Sequence, residues 1–429
     1  MRVRNIHFSL LGCDTRPVII RRLSFTLILL AFLTRVFVAV YPGRQLATPW
    51  SGGNDTPAYV ALAHSLVAGK GLSYYGMPSA IRPPIYPMFL AVNLLLFGNS
   101  FPVVVRLLQF GAGILTAVVC WLIARKLWGE ERALVGFAAA MALPTLIFFT
   151  GELLTECFAA FISSVFLLLI ADTAITERRN AILAGVLIGI GTLLRFNLIV
   201  LGIVFFFVLL SRVGFKRSVA PTALAAVTSL LILTPWLIRN RIAFHGSVFL
   251  SSQTGVNLAQ GVLTPDGRAQ RGEIETLKKT MGWVHEQIEV NSPDRLKLPD
   301  EGTLNRQTMQ LIPGIWRQEG PGAPFLMLRK LGYFWLSTDQ AFDTRLFSPK
   351  VRIIRACGVL FYWSVLSFAI FGWFKLKVSQ PSMAAAFLIF AATVTVFHLP
   401  FVMNTRIATP FIAPLVCILC PGTLSERHS

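Results

Sequence analysis

Long apolar runs recur along this chain, and the short loops between them alternate between basic and nearly uncharged. That alternation limits what the chain can fold into. A backbone in lipid must satisfy its own hydrogen bonds, which leaves helices or closed barrels, and a helix crosses the hydrocarbon core with about 20 apolar residues. Runs at residues 23–41, 103–124, 132–149, 155–172, 181–194, 197–211, 219–237, 353–373, 382–401 and 407–422 are read as spans. The predicted fold class is an all-α polytopic membrane protein with about ten transmembrane helices. Only 14% of the residues are charged, against about a quarter in a soluble domain.

The net charge of +19 would suggest nucleic acid in a soluble protein. Here the Lys and Arg residues gather in short loops, as the positive-inside bias requires, and no nucleic-acid partner is expected. With the N-terminus inside, the inner segments hold Arg2, Arg4, Arg16, Arg21 and Arg22, then Arg125, Lys126 and Arg132, then Arg178 and Arg179, then Arg212, Lys216 and Arg217, then Lys375 and Lys377. The short outer loops between residues 149 and 197 hold only Arg195. Both termini are expected in the cytoplasm, and the basic N-terminus with its first apolar run reads as a signal anchor. This parity requires that "IYPMFLAVNLLLFG", 85–98, does not cross, so it is expected as a juxtamembrane or re-entrant helix on the outer side.

Three domains follow: an N-terminal membrane module at 1–238 with a first external loop at 42–102, an external segment at 239–352, and C-terminal membrane helices at 353–429. The segment 239–352 holds eleven of the twenty acids and is expected to form a small helical external domain. Within it, "FLMLRKLGYFWL", 325–336, reads as a helix in the membrane interface. Gly185, Gly189 and Gly191 are spaced for close helix packing in a membrane. Cys417 and Cys420 lie inside an apolar run and read as small packing residues.

The outer face before residue 239 then holds three acids, Asp55, Glu152 and Glu156. Acids at a membrane boundary are costly to keep there and tend to be functional. Thr56 is placed as the N-cap of a helix with Pro57 at its first position. Tyr59, Leu62, Ala63, Leu66 and Val67 share one face of that helix. Asp55 would sit at its positive end, either as an ionised acid ready for chemistry or as a further cap. Glu152 and Glu156 are spaced to share a helix face. Arginines also collect at this boundary: Arg82, Arg195, Arg239, Arg241 and Arg406. Guanidinium forks suit phosphate oxygens, although some of the five would be membrane anchors. Arg35 falls in the outer third of the first span, and His64 and His398 near the outer face read as packing residues.

These residues carry a resemblance. "DTPAYVALAHSLVAGKGLSYYGMPSAIRPPIYPMFLAVNLLLFG", 55–98, resembles the first external loop of bacterial GT-C membrane glycosyltransferases, in the branch of protein O-mannosyltransferases and lipid A aminoarabinose transferase. "TGELLTECFAAF", "AGVLIGIGTLLRFN" and "TPWLIRNRIAFHGSVFLSSQTGVNLAQG" resemble later family segments, and "NTRIATPFIAP" resembles the start of a late span. Where many O-mannosyltransferases carry Asp-Glu, this chain has Asp55-Thr56.

The resemblance implies a GT-C-like bundle with outer juxtamembrane helices in a bacterial plasma (inner) membrane. It implies transfer of a sugar from a polyprenyl-phosphate donor to a hydroxyl of a protein, lipid or glycan acceptor on the outer face, with inversion. Asp55 would be the catalytic acid or a ligand of a divalent metal, Mg or Mn, and Glu156 would be its catalytic companion. Arg82, Arg195, Arg239 and Arg406 would meet the phosphate, with Tyr59, Tyr86 and Glu152 completing the substrate-binding set. Membrane lipids are the remaining partners. The competing readings are a transporter or lipid-linked glycan flippase, which would want deep ionisable residues, and a non-catalytic scaffold. A structure that gathers Asp55, Glu156 and the arginines in one place separates the first reading from the other two.

Overall fold

The computed structural model describes residues 15–40, 55–74, 76–263, 301–319, 322–337 and 349–423. Arg2, Arg4, Asp14, the glycine-rich approach to Asp55 and the acid-rich stretch 264–300 lie outside the described residues. The helices are α1 (Thr15–Val40), α2 (Thr56–Val67), α3 (Ile85–Phe97), α4 (Phe101–Trp128), α5 (Glu130–Ala142), α6 (Pro144–Thr150), α7 (Glu156–Ile170) and α8 (Arg178–Leu194). They continue with α9 (Val200–Ala243), α10 (Thr254–Leu263), α11 (Glu301–Glu319), α12 (Ala323–Trp335), α13 (Pro349–Ser379), α14 (Pro381–His398) and α15 (Thr405–Leu419). Among the described residues the strands are one two-residue pair, β1 (Ser73–Tyr74) and β2 (Met77–Pro78), joined antiparallel.

The protein is an integral, multi-pass membrane protein. Six of its helical segments are long and apolar enough to cross a bilayer, or seven if the bent pair α5 and α6 is one span. The runs predicted at 155–172 and 181–194 form the shorter α7 and α8, which fall below that length, and those at 197–211 and 219–237 lie within α9, which folds back on itself. In α9, Gly214 breaks the helix at φ 74°. Gly202 of the first arm packs on Ile188 and Leu198 just before it packs on Gly191, so that arm runs antiparallel to α8. In the second arm, Ala225 meets Gly185 and Ile232 meets Gly189, a parallel order. The two arms therefore run opposite ways, and the basic loop of Arg212, Lys216 and Arg217 is their turn.

The same logic settles α3. The Tyr86 hydroxyl donates to Gln109 Oε1 at 2.6 Å, which a continuous helix between them would forbid, so the chain reverses at Gly98 (φ 51°). With 13 residues, α3 is about 20 Å long, short of the roughly 30 Å hydrocarbon core. It is a short helix laid back against α4, with an apolar length below that of a span.

Lipid exposure follows sequence periodicity. On α1, Ala31, Arg35 and Ala39 are buried one turn apart, while Leu29, Leu33 and Phe37 are exposed. On α12, Leu326, Lys330 and Phe334 are buried, and Phe325, Leu328 and Leu336 are exposed, the two-faced pattern of an interfacial helix. By contrast α15 is almost wholly enclosed, Cys417 and the Cys420 that follows the helix included. It is the central post of the bundle and carries Arg406 at its first turn.

The glycines of α8 permit close approach rather than unusual backbone. A Cβ on Gly185 would lie 2.5 Å from the Ala225 carbonyl oxygen and 2.6 Å from Thr228 Cβ. Overpacking of this kind costs about 1–3 kcal/mol. Gly185→Ala is therefore expected to lower the thermal unfolding midpoint in detergent, and an unchanged midpoint would show that the two helices are not held at this spacing.

Candidate functional site

The site is assembled from three places in the chain. Asp55 stands at the N-terminal boundary of α2, as expected, but it does not act as a cap: its carboxylate makes no capping hydrogen bond. Thr56, expected as the cap, is instead the first helical residue, and its hydroxyl donates to the Leu153 carbonyl at 3.4 Å. Backbone geometry leaves the Asp55 side chain free to point away from its own helix. Arg82 Nη2 donates to Asp55 Oδ1 at 2.5 Å, and Arg406 Nη2 lies 2.7 Å from Asp55 Oδ2.

Glu156 opens α7 and is fully buried. Its Oε1 accepts from Arg195 Nη1 at 2.7 Å and from Arg406 Nε. Arg195 stands where α8 ends in extended backbone (φ −154°, ψ 114°), and also donates to Thr155 Oγ1 at 3.1 Å. Arg406 follows Asn404, whose side chain accepts from the Ile407 amide and so caps α15. The result is one continuous ion chain, Arg82–Asp55–Arg406–Glu156–Arg195, with Arg406 bridging the two acids.

Two buried atoms on this chain have no hydrogen-bond partner among the described residues: the Glu156 Oε2 acceptor and the Arg82 Nε donor. Buried polar groups are normally paired, so an open acceptor and an open donor on one cluster mark places where a ligand's polar atoms fit. Asp55 is reached more easily, at 25% side-chain exposure, than Glu156 at 0%. Burial by itself would raise the Asp55 carboxyl, but Arg406 and then Arg82 outweigh it and hold it below the usual aspartate range.

Aromatic residues line the Asp55 end. The Tyr59 and Tyr86 rings meet edge to face at 4.9 Å, and the Arg82 guanidinium lies over Tyr59 at 5.7 Å. Arg82 Nη1 is also drawn by Gln253 Oε1 at 2.7 Å. Gln253 immediately precedes α10 and lies between Ser251 and Thr254, two of the residues lining an open cavity of about 560 Å³. Glu301 of α11 joins the same region by accepting the Ala80 amide at 2.8 Å.

Other expected site residues fall elsewhere. Arg239 stands apart from the ion chain, donating to Leu72 O at 2.9 Å and to Asn240 Oδ1 and lying over Trp236 and Phe244. Glu152 enters through its backbone carbonyl, which accepts from Gln109 Nε2 at 2.6 Å. His398 is buried among Phe334, Phe397 and Phe411. Its Nδ1 faces the Val394 carbonyl, so Nε2 is assigned as the acceptor of the Asn197 amide, as befits a packing residue. Arg35 donates to the carbonyls of Ala140, Met141 and Leu146 and to Thr150 Oγ1. These carbonyls border the 48° bend between α5 and α6, where Pro144 interrupts the helix. Gln109, Gln253 and Thr155 are not singled out by the sequence; the amide of Gln109, three residues after Arg106 in a largely apolar run, was the one visible signal.

Among the described residues, the donor set at this site suits an anion better than a divalent cation. Both Asp55 oxygens and Glu156 Oε1 are occupied by guanidiniums, and three arginines outnumber two carboxylates. Among the described residues no group of three or more His, Cys, Asp and Glu converges. The surplus positive charge suits an anion.

Residues 81–238 match the family model of dolichyl-phosphate-mannose-protein mannosyltransferases. No curated protein sequence matches the chain significantly. The fold is similar to that of the oligosaccharyltransferase AglB from Archaeoglobus fulgidus, solved with an inhibitory peptide and a dolichol-phosphate: 15% identity, 94% of this chain and 50% of that one, TM-score 0.53. The same archaeal enzyme solved with Zn and sulfate matches at 14% identity over 92% of this chain and 48% of that one, TM-score 0.52. ArnT from Cupriavidus metallidurans matches at 15% identity over 94% and 78%, but its TM-score of 0.43 is too low to bear on the fold. The chain spans about half the length of the archaeal enzyme. The match to the mannosyltransferase model thus covers part of the sequence, and the similarity to the archaeal oligosaccharyltransferase is one of fold.

Proposed function

We propose that this protein is a GT-C membrane glycosyltransferase that moves a sugar from a polyprenyl-phosphate to an acceptor hydroxyl on the outer face of a bacterial plasma membrane. The observation that carries this reading is the bridging of Asp55 and Glu156 by Arg406, flanked by Arg82 and Arg195. Lipid-phosphate recognition by the archaeal relative and the mannosyltransferase match support it.

The chemistry follows from sharing. Asp55 paired with two arginines is ionised but weakly basic, whereas a general base works best with a pKa near the working pH. An arriving phosphate competes for Arg82 and Arg406, because guanidinium forks bind its oxygens at least as well as a carboxylate's. Partial release of Asp55 restores its basicity as the donor binds. Asp55 then takes the proton of the acceptor hydroxyl while that oxygen bonds to the anomeric carbon. The bond from that carbon to the phosphate oxygen breaks, the configuration inverts, and polyprenyl phosphate leaves with its charge met by the arginines. Glu156 Oε2 accepts from a hydroxyl of the sugar or acceptor. Protein, lipid and glycan acceptors all present the hydroxyl this step needs.

The transporter reading loses its main residue, since the deep Arg35 is engaged by carbonyls at the α5–α6 bend. The test is transfer by the purified protein from defined polyprenyl-phosphate sugars, with cell-envelope glycans compared with and without the gene. No transfer and unchanged glycans would retire the proposal. Because guanidiniums hold the acids, chelation with EDTA is expected to leave the rate unchanged within about twofold, a small effect beside the several kcal/mol a catalytic metal supplies. A large loss reversed by Mg or Mn would show that a cation displaces an arginine.

A further inference from the structure

Gln109 is a buried amide in α4 that the chemistry above does not use, and its hydrogen bonds run to the turn before Glu156 and to a tyrosine of α3 that packs on the Asp55 helix. Its Nε2 donates to the carbonyls of Glu152 (2.6 Å), Phe149 (3.2 Å) and Thr150 (3.3 Å), the turn that delivers Glu156 to the head of α7. Its Oε1 accepts the Tyr86 hydroxyl. Tyr86 packs edge to face on Tyr59, whose backbone amide donates to the Asp55 carbonyl at 3.1 Å. From the other side Arg35 donates to Thr150 Oγ1 at 2.9 Å, and Gly113 leaves the room for it, since a Cβ there would lie 2.7 Å from Arg35 Nη1.

The geometry points to Gln109 as a positioning residue that fixes the Asp55 and Glu156 segments relative to each other. A single amide does so because it is both donor and acceptor. Its donor end draws in the carbonyls of the turn after α6, of which Phe149 O and Glu152 O also accept the amides of Glu152 and Leu154, and its acceptor end holds the hydroxyl of the tyrosine that packs on Tyr59 of α2. An apolar residue of similar size would fill the space but release both ends. The Thr150 carbonyl and the Tyr86 hydroxyl would lose the partner that Gln109 gives them, the Phe149 and Glu152 carbonyls would keep only their turn amides, and both segments would loosen together.

This inference rests on the glycosyltransferase reading for its catalytic consequence but not for its structural one. The test uses the full-length protein in detergent, as the parent, Gln109→Met and Tyr86→Phe, followed by amide hydrogen exchange. Gln109→Met is expected to speed exchange about tenfold or more, the equivalent of about 1.4 kcal/mol of local opening, both in residues 149–155 and at the start of α2, with the α8–α9 pair unchanged. Tyr86→Phe, which keeps the ring, is expected to act on the α2 segment alone. In transfer assays Gln109→Met should lower kcat about 10²-fold with little change in donor KM, as a misplacement of about 1 Å does. Exchange unchanged at either segment, or raised uniformly across the protein, would overturn the positioning role. Parental protein with no transfer at all, yet with the paired exchange response, would retire the catalytic reading and keep Gln109 as the link between the segments.

Discussion

Asp55→Asn is expected to reduce sugar transfer by about 10²–10⁴-fold, the usual contribution of a general base, while the protein remains folded. The substitution is nearly isosteric, and the amide oxygen still accepts from Arg82 or Arg406. What it removes is the capacity to take a proton. Since Asp55 contributes no helix cap, loss of α2 cannot explain a loss of rate. The pH dependence gives a second reading of the same residue. Arg406 and Arg82, acting against burial, hold the Asp55 carboxyl below its ordinary range. A carboxyl depressed in the folded state adds stability above its unfolded pKa and loses it as pH falls through the folded value. Asp55 in the free enzyme therefore stays ionised through mildly acid solution, and the acid limb of kcat/KM should fall below the usual aspartate range. Because kcat reports the donor-bound state, and donor binding draws the arginines away, its acid limb should lie at higher pH than that of kcat/KM. Parental turnover by Asp55→Asn, or an unaltered acid limb in a partly active Asp55→Glu, would refute the assignment.

Much of the architecture was legible because a bilayer imposes one-dimensional rules. Run length and loop charge placed the two arms of α9 as separate spans with a basic turn at Arg212–Arg217, although the helix is continuous but for Gly214. The short run 85–98 was legible as a separate short helix by the same rules. Spacing also showed the close packing of Gly185, and the lone acids pointed to Asp55 and Glu156. What periodicity could not supply was the partner of each charge. Arg239 and Arg406 look alike as boundary arginines, yet Arg239 turns to Leu72 O and aromatic rings while Arg406 lies between both acids. That choice depends on α15 standing at the centre of the bundle, a contact more than 200 residues away in sequence. Arg35 was visible as a deep charge, but its role depends on carbonyls freed by a bend in another helix. Long-range pairing of this sort leaves no local pattern.

Arg406→Met is the substitution expected to damage stability most, and transfer with it. Arg406 meets Asp55 and Glu156 at once, and Glu156 has no solvent exposure. Removing one partner of a buried ion pair costs about 3–5 kcal/mol, because the other charge stays buried with less compensation. Glu156 keeps Arg195, so the lower end of that range applies. Catalysis should fall further, by about 10²–10³-fold, as for loss of one donor at a site of developing charge. Arg406→Lys should not restore the rate: a point ammonium cannot present Nε and Nη2 to two carboxylates in the fixed fork that bridges them. The decisive comparison is Arg406→Met with Glu156→Gln, singly and together, followed by thermal unfolding and by transfer. If Glu156 is the charge stranded by loss of Arg406, neutralising it should return most of the lost stability, a coupling of about 0.5–3 kcal/mol in a double-mutant cycle. It should return none of the transfer, because the guanidinium meant for the phosphate is still missing. Additive stabilities would mean that Arg406 and Glu156 do not share a buried pair, and a double variant with restored transfer would mean that Arg406 serves the fold and not the leaving phosphate.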